Sequence, residues 1–314
     1  TKSMVALKKK FYLGVEGGAT KSTAILVDET NRLLGKRRGK ALNYHYLGKS
    51  ETKRNMASLL NPLLKKARGA TLYTVFGLAG LDTPKDKKIY TKIARSLLPK
   101  GSVLRAVNDT KTALELRCPR EKNRILVISG TGSSVYGENG KTSAKSVGWG
   151  VLLGDEGSGY DIGTKILKAA MCSFDGRGKK TILESLVLKR IGVKTMEDTV
   201  PTFHKNLRQT QNMKRYVASF ANLLDEAIMN NDRVAMEIRQ ETIEALTQGI
   251  SAVTKKLTIA DKEFCLGYVG SVWKTPGMRQ KFENEAKKQY PKVCFSKNDD
   301  PSVWGAVLLA KKLE

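Results

Sequence analysis

Histidine and cysteine are both scarce in this chain, at 2 and 4 residues. The cysteines, Cys118, Cys172, Cys265 and Cys294, form no CxxC or other close pair, which argues against a structural zinc site. Few, scattered cysteines in a long chain argue equally against a disulfide scaffold and fit a reducing compartment. No apolar run approaches the roughly 18–20 residues that cross a bilayer. The apolar stretch after the basic N-terminus is too short for a secretory signal and lacks a cleavage site, so the expected address is cytoplasmic. Low-complexity tracts, short repeats and Pro/Ser-rich linkers are missing, which leaves a closely built globular protein. At 314 residues the chain is long enough for two domains of ordinary size.

Acidic residues are also in short supply. The chain carries 56 Lys/Arg against 30 Asp/Glu, a net charge of +26. Residues 1–120 hold 26 Lys/Arg and 8 Asp/Glu, so +18 of that surplus lies in the first part. Such a surplus attracts anions such as nucleotides, nucleic acids, acidic lipids or acidic proteins, and also simply keeps a protein soluble. The runs Lys8-Lys9-Lys10 and Lys36-Arg37-Arg38 lack the interleaved aromatics of an RNA-binding surface and read as solvated tail and turn charges.

What is present in pattern is a series of short apolar strands, several of them ending in glycine. Phe11–Val15 and Thr23–Val27 flank Gly17-Gly18, and Leu33-Leu34 opens a third strand. A helical stripe runs from Lys49 to Ala67, followed by a strand at Tyr73–Leu78, a helix at Ile89–Leu98 and a strand at Val103–Val107. The series restarts at Arg124–Ser129, with Gly130-Thr131-Gly132 as the turn and Ser134–Tyr136 as the return. A Gly-dense loop over 148–163 leads into a helix at Lys165–Ala170. Residues 181–257 read as mostly helical, with Met213–Asn230 and Val234–Lys256 the clearest segments. Strands at Phe264–Val269 and Val293–Phe295 and a helix at Pro301–Leu313 close the chain. Two αβ halves, each opening on a hairpin around a Gly/Thr turn, suggest a duplicated domain.

The glycine turns carry the candidate chemistry. Gly14 to Ser22 brings small residues, hydroxyls and Lys21 together, which suits an anion held by backbone N–H groups; a plain hairpin turn is the alternative. The Walker A spacing is absent. Gly130-Thr131-Gly132-Ser133-Ser134 repeats the pattern, so two such turns in equivalent places suggest a polyphosphate held from both sides. Asp109 follows a strand, where it is either a general base or an ordinary turn or cap residue. Trp149 between Gly148 and Gly150 suits a flat ligand wall better than a core position. Asp155 and Glu156 in the same loop are placed to accept from sugar hydroxyls, with a metal site as the rival reading.

The runs GVEGGATKS (14–22), ISGTGSS (128–134), GWGVLLGDEGSGY (148–160) and GSVWK (270–274) stand in order across nearly the whole chain. Together they resemble the N-acetylglucosamine kinase family, within the actin, hexokinase and heat-shock-chaperone ATPase superfamily and its BadF/BadG-type ATPase group. The resemblance implies an α/β, two-domain actin-like ATPase (ribonuclease H-like) fold with a duplicated β-β-β-α-β-α-β core and an interdomain ATP/sugar cleft. Its domains would be 1–118 with the C-terminal helix 302–314, and 119–301 with a helical insertion. It implies ATP-dependent phosphorylation of the 6-hydroxyl of N-acetyl-D-glucosamine, with ATP and Mg²⁺ as cofactors, in a cytoplasmic homodimer without membrane contact.

On that resemblance Asp109 is the base, and Asn43, Thr131, Gly148, Trp149 and Asp155 grip the sugar. Gly17, Gly18, Thr20, Lys21, Gly130, Gly132 and Ser133 line the phosphates, Gly270 and Ser271 lie beside the adenosine, and Glu16 orients Mg²⁺ through water. Departures are Thr110 and Lys111 after the base, Tyr44-His45 after Asn43, and Val147 where relatives carry glycine. Lys111 would lower the pKa of the base or crowd the site. The alternatives are a kinase of another hexose or hexosamine, such as N-acetylmannosamine or glucosamine, and a non-catalytic protein binding nucleic acid or an acidic partner through its basic half. A dehydratase-activating ATPase would need clustered cysteines for an iron–sulfur centre, which this chain lacks.

Overall fold

Along Lys10–Gly17 (β1) successive side chains enter two different cores. Leu13 and Val15 join one and Tyr12 the other, the period-2 signature of a strand buried on both faces. The computed structural model describes residues 9–18, 20–119, 121–209 and 213–314; Lys8 of the basic N-terminal run and Ala19 of the first glycine turn lie outside the described residues. In chain order β1 is followed by Lys21–Val27 (β2), Leu33–Lys40 (β3), Tyr44–Lys66 (α1), Thr71–Leu78 (β4), Pro84–Arg95 (α2), Val103–Asn108 (β5) and Asp109–Arg117 (α3). Next come Arg124–Ser129 (β6), Ser133–Glu138 (β7), Ser143–Ser146 (β8), Gly159–Asp175 (α4), Leu183–Ile191 (α5), Met196–Gln209 (α6), Met213–Ala218 (α7), Leu223–Met229 (α8) and Arg233–Leu257 (α9). Phe264–Val269 (β9), Met278–Gln289 (α10), Val293–Phe295 (β10) and Val303–Lys311 (α11) end the chain.

These elements form two units, Thr1–Arg120 with Lys297–Glu314, and Glu121–Ser296. In the first, a five-stranded sheet runs β3-β2-β1-β4-β5. Strands β1, β4 and β5 are parallel, while β2 and β3 return antiparallel. One face packs Leu13, Val15, Leu26 and Phe76 against Met56, Leu59, Leu60 and Leu63 of α1 and Tyr90 and Ile93 of α2. The other packs Tyr12, Ile25, Val75 and Val107 against Val303, Ala306 and Val307 of α11. Gly14 permits that second layer, because a Cβ there would lie 2.8 Å from the Val303 carbonyl oxygen. The sheet thus recruits the C-terminus to complete the N-terminal unit.

The second unit repeats the topology. Its sheet runs β10-β9-β6-β7-β8, with β6, β9 and β10 parallel and the β6-β7-β8 meander antiparallel. Helix α9 approaches the sheet closely through Gly137 and Gly249, whose missing side chains leave room for Val253 and Val135. The two halves therefore share one α/β plan, a three-stranded meander followed by two parallel strands with helices between.

Local detail differs from the sequence reading in identifiable places. Helix α2 stops at Arg95, with Leu97 and Leu98 in the following turn. The stretch 213–230 is broken into α7, a 3₁₀ turn at Ser219–Asn222, and α8. Helices α3 and α10 were not expected from periodicity: α3 is short and α10 is mostly polar. Lys36, Arg37 and Arg38 lie on edge strand β3 rather than in a turn. Exposed charges there discourage pairing with another sheet edge.

Candidate active site

Parallel strands bring their C-terminal ends to one edge, the place where open α/β sheets bind ligands. In the first unit, register aligns Gly17 with Leu78 and Leu78 with Asn108. Glu16, the Ala79-Gly80 corner and Asp109 are therefore brought to the same edge. The turn after β1 is closed by the Gly18 N–H donating to the Lys21 carbonyl at 2.9 Å, with Thr20 and Lys21 exposed at its tip. Asn43, buried, caps α1 by accepting from the His45 N–H at 3.0 Å. His45 Nε2 lies 3.0 Å from the Gly80 carbonyl oxygen and 3.2 Å from Asp86 Oδ1. The Tyr44 hydroxyl donates to Asp86, and this bond holds the Asp86 carboxyl down to about 2. The sequence departures after Asn43 thus build a bonded wall around Gly80.

Asp109 is not the cap of α3. Asn108 takes that role, its side chain accepting from the Thr110 N–H at 2.9 Å and donating to Asp82 at 3.0 Å. Asp109 is the first helical residue, partly exposed and otherwise enclosed by protein. Loss of water around the carboxyl pushes its pKa up to about 6, and the Asp82 charge adds to the rise. An acidifying effect of Lys111 is not what the structure has: the carboxyl moves up, and Lys111 is exposed. Glu16 is likewise raised, first by burial and then by the Asp109 charge, while Lys21 and Arg117 pull it back. Glu16 thus feels the Asp109 charge, while the charge acting on Asp109 is that of Asp82. Among the described residues no cluster of three or more His, Cys, Asp or Glu forms a metal cage. One or two carboxylates, with phosphate oxygens and water filling the shell, are the donor set that suits Mg²⁺. Glu16 fits that donor set.

In the second unit the same edge carries Gly130-Thr131-Gly132 after β6 and Gly270-Ser271 after β9, with Ile128 in register with Val269. Gly270 sits at φ 123° so close to β6 that a Cβ would lie 1.9 Å from the Ser129 carbonyl oxygen. The Gly130 N–H donates to the Gly132 carbonyl at 2.9 Å, and the Gly130 and Thr131 carbonyls accept from Gly159 and Tyr160 at the start of α4. Ser133, buried, donates to the Glu156 carbonyl at 2.7 Å.

The loop from 147 to 155 is held by Gly148 and Trp149 N–H groups on the Gly154 carbonyl at 2.6 and 3.0 Å. Trp149 is 60% exposed, with the Lys145 ammonium over one face of its ring, 4.9 Å from the centre. Val147, where relatives were expected to carry glycine, holds φ 61°, a strained conformation for a β-branched residue.

Asp155 is buried and bonded to the Lys214 ammonium at 2.5 Å. Lys214 also fills the space beside Gly132, where a Cβ would lie 2.8 Å from its nitrogen. The motif reading missed this lysine, because α7 offers no spacing signal and only the fold brings it to the turn. A cavity of about 310 Å³ opens beside Gly130, Thr131 and Gly159, bounded also by Ser271, Val272 and the 215–225 segment. That size is at the lower end for small-molecule sites.

Residues 13–310 match the BadF/BadG/BcrA/BcrD ATPase family. The chain belongs to that family. Within curated relatives, an N-acetylmuramic acid/N-acetylglucosamine kinase of Clostridium acetobutylicum is 34% identical over 309 residues, covering 96% of this chain and 98% of the relative. An N-acetyl-D-glucosamine kinase of Dictyostelium discoideum is 28% identical over 318 residues, covering 97% and 98%. Among solved structures, a Chromobacterium violaceum protein provisionally designated N-acetylglucosamine kinase superposes with TM-score 0.70 at 21% identity, covering 96% of this chain and 98% of that one. A ROK family glucokinase of Streptomyces griseus gives 0.56 at 15% identity, covering 96% and 99%. The structural likenesses establish the fold, the α/β plan of actin-like sugar kinases. The family match and the curated relatives make this an enzyme of an ATP-using family with kinase relatives along its whole length.

Proposed function

We propose that this enzyme phosphorylates the 6-hydroxyl of N-acetyl-D-glucosamine with ATP, using Asp109 as general base. The observation that carries the reading is Asp109 at the ligand-binding edge of its sheet, with a carboxyl pushed up to about 6. A base poised near neutral pH is basic enough to take a hydroxyl proton as the oxygen attacks and is still mostly ionised at work. The sugar contacts in this reading are Asn43, Asp109, Thr131, Gly148, Trp149 and Asp155. The phosphates lie along Gly17, Gly18, Thr20, Lys21, Gly130, Gly132 and Ser133, with Gly270 and Ser271 beside the adenosine.

In the reaction the sugar oxygen bonds to the γ-phosphorus as the bond to the β–γ bridging oxygen breaks, releasing ADP. The hydroxyl proton passes to Asp109. The transition state is loose and anionic, so positioning and charge neutralisation dominate. Mg²⁺, when bound near Glu16, supplies part of that neutralisation. Lys214 is the further cation at the Gly132 turn; its exchange from Asp155 to a phosphate oxygen would free Asp155 to accept from a sugar hydroxyl.

The test is ADP release with Mg·ATP across N-acetylglucosamine, N-acetylmuramic acid, N-acetylmannosamine, glucosamine, glucose and a sugar-free blank. Stimulation chiefly by N-acetylglucosamine, with the product carrying phosphate on the 6-oxygen, is the expected result. Stimulation chiefly by another sugar replaces the substrate and keeps the mechanism. No stimulation by any sugar overturns the reading. Asp109→Asn is expected to lower turnover by about 10²–10⁴-fold.

A further inference from the structure

Much of the positive surplus in the first part of the chain stands on two packed helices. Helix α1 carries five Lys/Arg against one acid, and α2 carries five against one. One of the two acids, Asp86, is buried and taken up by Tyr44 and Thr83. Among the described residues the ion pair on these helices is His45 with Asp86, and it neutralises none of their Lys or Arg. Between the helices lies an open trough of about 310 Å³. Ile89 and Ile93 of α2, both packed on the core beneath, form its apolar floor. Exposed Lys49 and Lys53 line it from α1, and exposed Lys92 from α2. Lys49 and Lys53 stand four residues apart, as do Ile89 and Ile93, so each helix presents an i±4 row to the trough. Another helix seats its own side chains between such rows.

An occupant has to satisfy both the apolar floor and the ammonium groups. A second copy of this chain brings another +26 of the same sign. No aromatic ring lines the trough, so nucleic-acid bases have nothing there to stack on. Beyond Tyr46 in the first turn of α1, neither helix exposes a large apolar side chain for insertion into a bilayer. A helix with an apolar stripe flanked by Asp and Glu meets both demands. We propose that the α1–α2 trough is the docking site of an acidic amphipathic helix of another protein, with its apolar residues on Ile89 and Ile93 and its carboxylates on Lys49, Lys53 and Lys92. A contact of this size belongs to the weak, transient class. The proposal stands independently of the kinase reading.

The experiment is fluorescence anisotropy of a labelled synthetic helix titrated with the full chain. The peptide carries leucines at i, i+3, i+4 and i+7 with glutamates on both flanks. Salt is held at about 0.15 M, where charges beyond about 8 Å are screened. Comparison probes are a scrambled peptide of the same composition, polyglutamate, an oligonucleotide and phosphatidylserine vesicles. Two variants remove the same charge, Lys53→Glu/Lys92→Glu at the trough and Arg37→Glu/Arg38→Glu on β3, and Ile89→Ser removes part of the floor. A thermal melt checks that each variant folds as wild type does. The helix is expected to bind wild type and to weaken by roughly tenfold in the trough pair, with a several-fold loss in Ile89→Ser. The β3 pair is expected to leave binding nearly unchanged. Equal losses in the two double variants overturn the proposal, because net charge alone then does the binding. So does a scrambled peptide or polyglutamate that binds as tightly as the helix, since the floor then contributes nothing. An oligonucleotide or vesicle that binds tighter than the helix, and is lost in the trough pair, assigns the face to phosphate instead. A helix that does not bind wild type at all also ends the proposal.

Discussion

At Asp109 burial and the Asp82 charge both disfavour the ionised carboxylate, and the consequence is measurable in stability as well as in rate. The carboxyl titrates near 3.8 when unfolded and at about 6 when folded. Between about pH 4 and pH 6 the folded state binds more protons than the unfolded one, so stability falls as pH rises through that window. Above it the full penalty applies, on the order of 3 kcal/mol by the usual conversion. Asp109→Asn is therefore expected to melt at a higher temperature than wild type at about pH 7.5, with the gain vanishing near pH 4. The loss of a first-turn negative charge at α3, about 0.3–1 kcal/mol, is too small to reverse this. Wild-type kcat/KM should fall on the acid side with a midpoint near 6 as the base is protonated. A variant that is less stable than wild type at neutral pH would show that Asp109 serves the fold rather than the reaction. Asp109 was legible in sequence because a carboxylate after an apolar strand marks a strand end. Lys214 was not, because it sits in helical sequence whose pattern says nothing of the turn it faces.

At the scale of elements, the close approaches are made by glycines. Helices α3 and α11 lie so near each other that a Cβ at Gly305 would come within 1.7 Å of the Thr112 carbonyl oxygen. The obstacle is backbone, which cannot rotate aside. Gly305→Ala is expected to destabilise the first unit by at least the 1–3 kcal/mol typical of overpacking, read as a lower midpoint in urea. A midpoint equal to wild type would mean the two helices separate without cost. Gly305-Ala306 was placed in the closing helix by sequence, but its partner was not, because α3 lay outside the expected pattern. The nine residues of α3 are too few to show a helical period, and their fold is set by the Asn108 cap and by packing.

At the scale of the molecule, the first unit is discontinuous. Val303, Ala306, Val307 and Ala310 fill one face of its sheet from the far end of the chain. Fully burying an apolar side chain of valine size contributes roughly 1.5–3 kcal/mol, so this helix supplies a large share of a marginal total. A chain ending at residue 300 is expected to lose amide exchange protection in β1, β2 and β4 while the 121–296 unit keeps its own. Protection retained in β1 would mean that the first sheet is stable with one face bare. It also follows that the first unit completes its fold only once residues 303–311 have been made. The basic surplus finds part of its place at this scale, since edge strand β3 presents Lys36, Arg37, Arg38 and Lys40 to solvent.

The sequence by itself determined the apolar strands, because such a run broken by a turn residue is a local signal that needs no partner; Ser143–Ser146 (β8), which has no apolar run, escaped it. The bounds of β6, β9 and β10 followed the apolar runs to the residue. The repeated turns also announced the duplication. Tertiary structure alone decided which groups meet. It set α11 on β1 through Gly14, gave the α3 cap to Asn108 rather than Asp109, and paired Asp155 with Lys214. Each of these depends on contacts across long separations in sequence, and neither period nor spacing along a chain records what burial and charge become when distant segments close on one another.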